Sequence, residues 1–257
     1  SLDALADAHR GVVGYAVHDL DSGDRQARRG DETFPSASLI KVPVLVTVFD
    51  LIEQDSLSLD DKLTLLEIDQ VGGSGTLQYM RPGLILTVHD AAWLMTIISD
   101  NTATNLLVDR IAARRVWRKM ESLGLPRTKI HGRSMDPIAR VDWDSGGKYG
   151  LGVTTPNEMA RLFELLAKGE AVSPRADSMM IDILEHTDHV EMLQRYLGGR
   201  RAAYKTGSVD RTRTECSLWW LPARVVACAP TMTFSSAVMP GKIRAAWKTT
   251  PMPSRAR

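Results

Sequence analysis

The chain has 257 residues, 44% of them apolar and 25% charged, which is enough for a buried core in one large domain or two intimately packed ones. A formal net charge of +1, with no long basic run, excludes the electrostatic footprint of a nucleic-acid-binding or membrane-surface protein. No stretch reaches the ~20 uninterrupted apolar residues of a membrane-crossing helix. The early acid in Ser1-Leu2-Asp3 does not fit a signal peptide, so none is expected in these residues.

In chain order, residues 2–9 are predicted as a short helix. Strand follows over residues 11–17, then a turn over 19–23. From Leu39 to Ile52 the sequence is apolar nearly all round, which predicts a helix buried at the centre of a domain, with Pro43 early in it. Thr87-Val88-His89-Asp90 is a capping box opening a second helix that carries Trp93, Leu94, Ile97 and Ile98. Residues 103–113 read as another helix. Thr155-Pro156-Asn157-Glu158 opens a further one that stops at Gly169, and Ser173-Pro174 starts the last. From Arg201 the apolar period shortens toward two over residues 202–204, 216–220 and 225–228. Strands at both ends of a helical middle can share one sheet. The expected architecture is therefore α/β, an antiparallel sheet flanked by terminal helices with an all-α domain inserted. Residues 1–34 and 195–257 would form the α/β domain and 35–194 the helical one, with the functional site at their interface.

Cys216 and Cys228 flank a predicted turn at residues 221–224, roughly opposite each other if it is a hairpin. Two cysteines are too few for a disulfide scaffold, and they are read as small buried thiols. His186 and His189 have no third ligand at a recognisable spacing and are read as an exposed helix end. No metal or other cofactor is expected.

Three short motifs carry chemistry. In Ser38-Leu39-Ile40-Lys41, helical spacing puts the Lys41 amine within reach of the Ser38 hydroxyl. Serine needs a base to become a nucleophile, and burial can lower a lysine's pKa until it serves as one. In Ser99-Asp100-Asn101, the hydroxyl can pass a proton to a leaving nitrogen and the amide can hold a substrate carbonyl or N–H. Lys205-Thr206-Gly207-Ser208, placed at a strand end, adds a positive charge, two hydroxyls for a carboxylate, and a glycine that permits close backbone approach. Each motif taken singly also fits a capping serine, a helix-ending turn or a strand end.

Taken together and in this order, the motifs resemble those of the class A β-lactamases and penicillin-binding proteins, the penicillin-recognising serine enzymes. Ser99 lies 61 positions after Ser38, and Lys205 lies 106 after Ser99, spacings similar to that family's. The resemblance runs from about residue 10 to residue 228. It implies a serine hydrolase that opens the β-lactam ring through an acyl-enzyme on Ser38, with Lys41 as proton acceptor and Ser99, near Lys41 and Lys205, as relay. It further implies Asn101, Thr206, Gly207 and Ser208 as the substrate-binding residues, with the backbone N–H groups of Ser38 and Ser208 as the oxyanion hole.

Two features depart from that family. The stretch 135–148 contains no glutamate to activate the water that clears the acyl-enzyme; it offers only Asp136, Asp142 and Asp144, and Glu158 has a structural place in its capping box. After Glu215 the chain has no acidic residue but six basic ones, with five of its twelve prolines, so the terminal strand and helix of the family look replaced. The missing glutamate keeps two alternatives open: a related D-alanyl peptidase or carboxylesterase, and a penicillin-binding sensor that acylates without turnover. The expected partner is a small β-lactam or D-alanyl peptide or ester, and the expected state is a monomer, secreted or periplasmic when mature, with a cytoplasmic place left open.

Overall fold

The computed structural model describes residues 1–135, 141–188, 192–196, 200–210, 212–220 and 224–233. The first half of the chain folds in the order α1 (Leu2–Ala8), β1 (Gly11–Val13), β2 (Tyr15–Asp19), β3 (Arg25–Arg28), β4 (Phe34–Pro35), α2 (Lys41–Glu53), β5 (Lys62–Thr64), β6 (Ile85–Thr87), α3 (Val88–Ile97), α4 (Asn101–Ile111) and α5 (Ala113–Ser122). The second half continues with β7 (Lys129–Ile130), α6 (Trp143–Tyr149), β8 (Gly152–Thr154), α7 (Pro156–Lys168), α8 (Pro174–Glu185), β9 (Ala202–Val209), β10 (Thr212–Trp219) and β11 (Val225–Thr233).

The main sheet is antiparallel in the order β3-β2-β11-β10-β9, with β1 added to β11, so strands from the two ends of the chain lie side by side. The strand predicted over 11–17 is interrupted at Gly14. A Cβ there would come within 2.8 Å of the Phe34 ring, and the Gly14 N–H turns to Pro230 O at 3.0 Å. On the helical side α2 is the hub. Val42 through Phe49 are all buried, and the helix packs against α3, α4, α5 and α8. Pro43 is its third residue, where the missing N–H is one that a helix leaves unsatisfied anyway. Helix α7 lies on β2, β10 and β11, while α8 lies on β9.

The capping signals work as the residue types dictate. Thr87 Oγ1 accepts from Asp90 N at 3.1 Å and Asp90 Oδ2 from Thr87 N at 3.1 Å. Thr155 and Ser173 cap α7 and α8, each with proline at the first helical position. Gly169 ends α7 in the left-handed conformation. The helix predicted over 103–113 is two helices, broken at Ala112, whose φ is +66°.

Two expectations are corrected. Lys205-Thr206-Gly207-Ser208 lies inside β9, the outer strand of the sheet, and not at a strand end. Cys216 and Cys228 face each other across β10 and β11 and form a disulfide, which the count of two cysteines did not suggest. The basic tail from residue 234, the turn at 221–223, His189 and Asp136 lie outside the described residues.

Candidate active site

Ser38 lies on a single 3-10 turn, Ala37–Ile40, that runs directly into α2, so Ser38 and Lys41 sit where the two helices join. The preceding Ala37 has φ +46°, a left-handed conformation that a residue with a Cβ adopts only when its surroundings hold it there. Those surroundings are visible. Ser36 N donates to Gly152 O at 2.9 Å, and Thr214 Oγ1 donates to Ser36 O at 2.9 Å. Ser38 itself is half-buried at the wall of a cleft of about 510 Å³ shared with Asn101, Ser134 and Ser208.

Lys41 is 1% exposed. Its Nζ lies 2.6 Å from Ser99 O, 3.1 Å from Ser99 Oγ and 2.8 Å from Asn101 Oδ1. All three partners are uncharged. Burial therefore holds the amine well below the ordinary lysine range, with the nearby Lys205 charge adding to the effect and Asp100 opposing it. A neutral amine can give its two N–H groups to Ser99 O and Asn101 Oδ1 and keep its lone pair for a hydroxyl proton.

Ser99 carries φ +57°, a strained backbone held by its neighbour. Asp100 caps α4 by accepting from Ala103 N at 2.9 Å, and its other oxygen accepts from Thr76 N at 2.7 Å and Leu77 N at 2.9 Å. It ties the loop before β6 to the second motif, a structural task. Asn101 uses its amide twice, toward Lys41 and by donating to Gly72 O at 3.0 Å.

On β9, Lys205 is fully buried and donates to Thr206 O at 3.1 Å; burial lowers its pKa to about 7. Gly207 lies on the same face, two residues on. A Cβ at that position would meet Thr214 Oγ1 at 2.5 Å, Ser38 N at 2.8 Å and Ser36 O at 2.9 Å. The glycine is thus required first by the backbone of the Ser38 turn, which lies directly against the strand. Thr206 is half-buried and Ser208 exposed at the rim of the cleft.

The three motifs therefore converge. Lys41 touches Ser99 and Asn101, Gly207 abuts Ser38, and Lys205 is close enough for its charge to act on Lys41. The residues that sequence reasoning missed are the holders. Thr214 had no signal beyond strand pattern. Asn105, four positions after Asn101 on α4, is fully buried and grips Ser134 from both sides of its backbone. Glu158 is structural, although its side chain accepts from Arg127 N at 3.0 Å and Thr128 Oγ1 at 2.7 Å, outside the capping box expected of it. Among the described aspartates of 135–148, Asp144 is exposed and Asp142 half-buried.

Comparison with known proteins agrees with this geometry. The sequence model of the family described as "Beta-lactamase enzyme family" matches residues 1–244. The chain belongs to that family. It is 27% identical over 223 residues to β-lactamase L2 of Stenotrophomonas maltophilia, covering 84% of this chain and 71% of that protein. Among solved structures, PBP-A superposes with a TM-score of 0.82 at 30% identity, covering 90% of this chain and 85% of that one. An ancestral class A β-lactamase superposes at 0.79 and 26% identity, over 92% and 91%. The β-lactamase/transpeptidase-like fold expected from the motifs is the fold observed, and the chain is a class A-like serine β-lactamase-type hydrolase.

Proposed function

We propose that Ser38 attacks the carbonyl of a β-lactam, with Lys41 taking its proton. The observation that carries this assignment is Lys41: completely buried, one turn from Ser38, and surrounded by neutral oxygens. As the C–N bond of the ring breaks, the proton passes from Lys41 through Ser99 Oγ to the leaving nitrogen. Protonated Lys205, with the hydroxyls of Thr206 and Ser208, attracts the substrate carboxylate, and Asn101 meets its acylamide. Gly207 lets Ser208 N–H stand beside Ser38 N–H as the oxyanion hole.

One relative supports the substrate class. The structure of a PBP-A variant with an introduced glutamate, at 30% identity and a TM-score of 0.81, is an acyl-enzyme complex with penicillin G. The disulfide supports a protein acting outside the cytoplasm, because such bonds persist in oxidising compartments. No glutamate lines the cleft among the described residues, which favours slow clearance of the acyl-enzyme. D-alanyl peptides or esters are the competing substrates, and acylation without turnover is the limiting case.

The test follows intact mass and product release with benzylpenicillin and with a chromogenic cephalosporin. An adduct of one acyl group, absent in Ser38→Ala, is the expected result. Rapid clearance makes the protein an efficient β-lactamase, and persistence for hours makes it a sensor-like acyl-enzyme. No adduct with either compound would overturn the substrate assignment. The pH dependence has two limbs in the free enzyme. Acylation falls on the acid side as Lys41 takes a proton. It falls on the alkaline side as Lys205, at about 7, loses the charge that attracts the carboxylate.

A further inference from the structure

A second cavity, of about 580 Å³, opens between the edge strand β3, helix α7 and the turn that follows α5, and it shares no lining residue with the Ser38 cleft. That volume falls among the ~300–1,000 Å³ pockets that hold small organic ligands. The local structure gathers charge here. Pairing of β2 with β3 sets His18 directly opposite Arg25, so both side chains stand on one face of the sheet. Helix α7 adds Arg161, Glu164 and Lys168 at the three- and four-residue spacing of one helix face.

This wall carries more positive charge than the protein neutralises. Glu164 is a single carboxylate, yet Arg25, Arg161 and Lys168 all pair with it, at 2.9, 3.0 and 2.7 Å. Arg25 reaches both Glu164 oxygens through Nη2, and Arg161 reaches one through Nη1. Neither guanidinium has another side-chain partner among the described residues, and the two side chains are 53% and 39% exposed. Their remaining N–H groups are therefore open to a ligand. His18 also lines the cavity and is 4% exposed. Its Nδ1 lies 3.2 Å from Glu164 Oε2, and its other ring nitrogen has no partner among the described residues. The two further acids on the lining are already engaged. Asp31 accepts from Asn157 Nδ2 at 3.1 Å, and Glu158 accepts from Arg127 N at 3.0 Å and Thr128 Oγ1 at 2.7 Å. Arg127 adds a third guanidinium, held by Asp31 O.

We infer that this cavity binds a small organic phosphate monoester, at a site separate from the acyl-transfer chemistry of Ser38. Guanidinium groups present planar, paired N–H donors that match phosphate oxygens. Glu164 fixes one end of Arg25 and of Arg161, so their outward donors are set in place before the ligand arrives. Two cations in excess of one carboxylate call for a dianion, and a phosphate monoester brings two charges and three acceptor oxygens. With Nδ1–H given to Glu164, the other His18 nitrogen becomes a donor only on protonation. Burial and the Arg25 charge resist that protonation, and a bound dianion favours it. The rest of the cavity exceeds what the phosphate fills. Pro126 offers an apolar surface there, while Asn157 and Asp31 offer amide and carboxylate groups to hydroxyls on the ligand body.

The test is titration calorimetry of the intact chain with glycerol 3-phosphate. Saturable binding near about 1 mM is expected, with none for glycerol. Arg25→Gln and Arg161→Gln are each expected to weaken it about tenfold, the loss of one charge-assisted contact. Arg127→Gln, which leaves the Glu164 cluster intact, is expected to weaken it severalfold. Lys62→Gln, on the exposed strand β5, is expected to leave it unchanged. Thermal melts check that each variant is folded, and the His18 ring signals in NMR should shift along the parent's saturation curve. No saturable binding by the parent overturns the site. So does binding at parent strength in the three arginine variants, or equal weakening by Lys62→Gln, the mark of diffuse attraction to surface charge. Inorganic phosphate bound as tightly as glycerol 3-phosphate overturns the organic class of ligand.

Discussion

The protein buries charge in two places and treats it in opposite ways. Glu164, on α7 behind the sheet, has a side chain only 2% exposed, and four cationic or potentially cationic groups surround it. Lys168 lies at 2.7 Å, Arg25 at 2.9 Å, Arg161 at 3.0 Å and His18 at 3.2 Å. Burial pushes this carboxyl up, but the Lys168 hydrogen bond and the charges of Arg161 and Arg25 outweigh it, and the pKa ends below the usual value. His18 is held below its ordinary value by burial and by Arg25, against the pull of Glu164. In the cleft, Lys41 and Lys205 are at least as buried, yet neither forms an ion pair with a carboxylate among the described residues. Their charged forms are therefore disfavoured, and both titrate far below an exposed lysine. Compensated burial fixes structure, whereas uncompensated burial makes a reactive amine at a cost in stability.

Four substitutions break or sharpen this contrast. The largest effect on the reaction rate is expected from Gly207→Ala, because its Cβ would fall 2.8 Å from Ser38 N. Displacing that donor lowers the acylation rate by about 10²–10³. A variant that acylates within tenfold of the parent would show that the contact does not align the nucleophile. Next, Glu164→Ala leaves several cations around an empty site and is expected to cost about 3–5 kcal/mol in urea unfolding. The acylation rate of the folded fraction should not change; a drop there would mean that the two charge centres are coupled.

Lys205→Met should move stability the other way, raising it by about 1–2 kcal/mol at pH 7 while acylation falls. Lys205 loses its proton at about 7 in the folded protein, and an unfolded lysine near 10.4. Between those values the unfolded chain holds the extra proton, so the parent gains stability as pH rises. Thermal melts at pH 7 and pH 9 should show that rise flattened in the variant, and an equal rise in both would remove Lys205 as its source. The smallest effect belongs to an exposed pair, Arg29 with Glu32 at 2.9 Å, both side chains near half exposed. Glu32→Ala should change stability by less than about 0.5 kcal/mol. A larger loss would mean that exposure is a poor guide to which charges matter here.

Much of the fold was legible because capping and apolar period are local. Thr87, Thr155 and Ser173 announce helices that form where they say, and the run from Leu39 to Ile52 became the central α2. Less was legible where a neighbour distant in sequence decides. The break in the first strand at Gly14 answers to Phe34 and Pro230. The disulfide depends on the register of β10 with β11, which pairs Cys216 with Cys228 directly. The Glu158 side chain went to Arg127 and Thr128, whose approach no local pattern signals.

The sequence by itself determined the chemical inventory: a serine with a lysine three residues on, a second hydroxyl beside an amide, and a lysine-bearing strand, in an order and spacing that name the family. These are properties of residue type and separation along the chain. Only the tertiary structure decided what each group experiences. It packed apolar helices round Lys41 until the amine lost its hydration without gaining a counter-ion among the described residues. It laid β9 so close to the Ser38 turn that residue 207 admits no side chain. It also hung Ser134 from Asn105, one helical turn from the residue that holds Lys41. Desolvation, close approach and orientation are sums over neighbours brought together by folding, and no single stretch of the chain contains them.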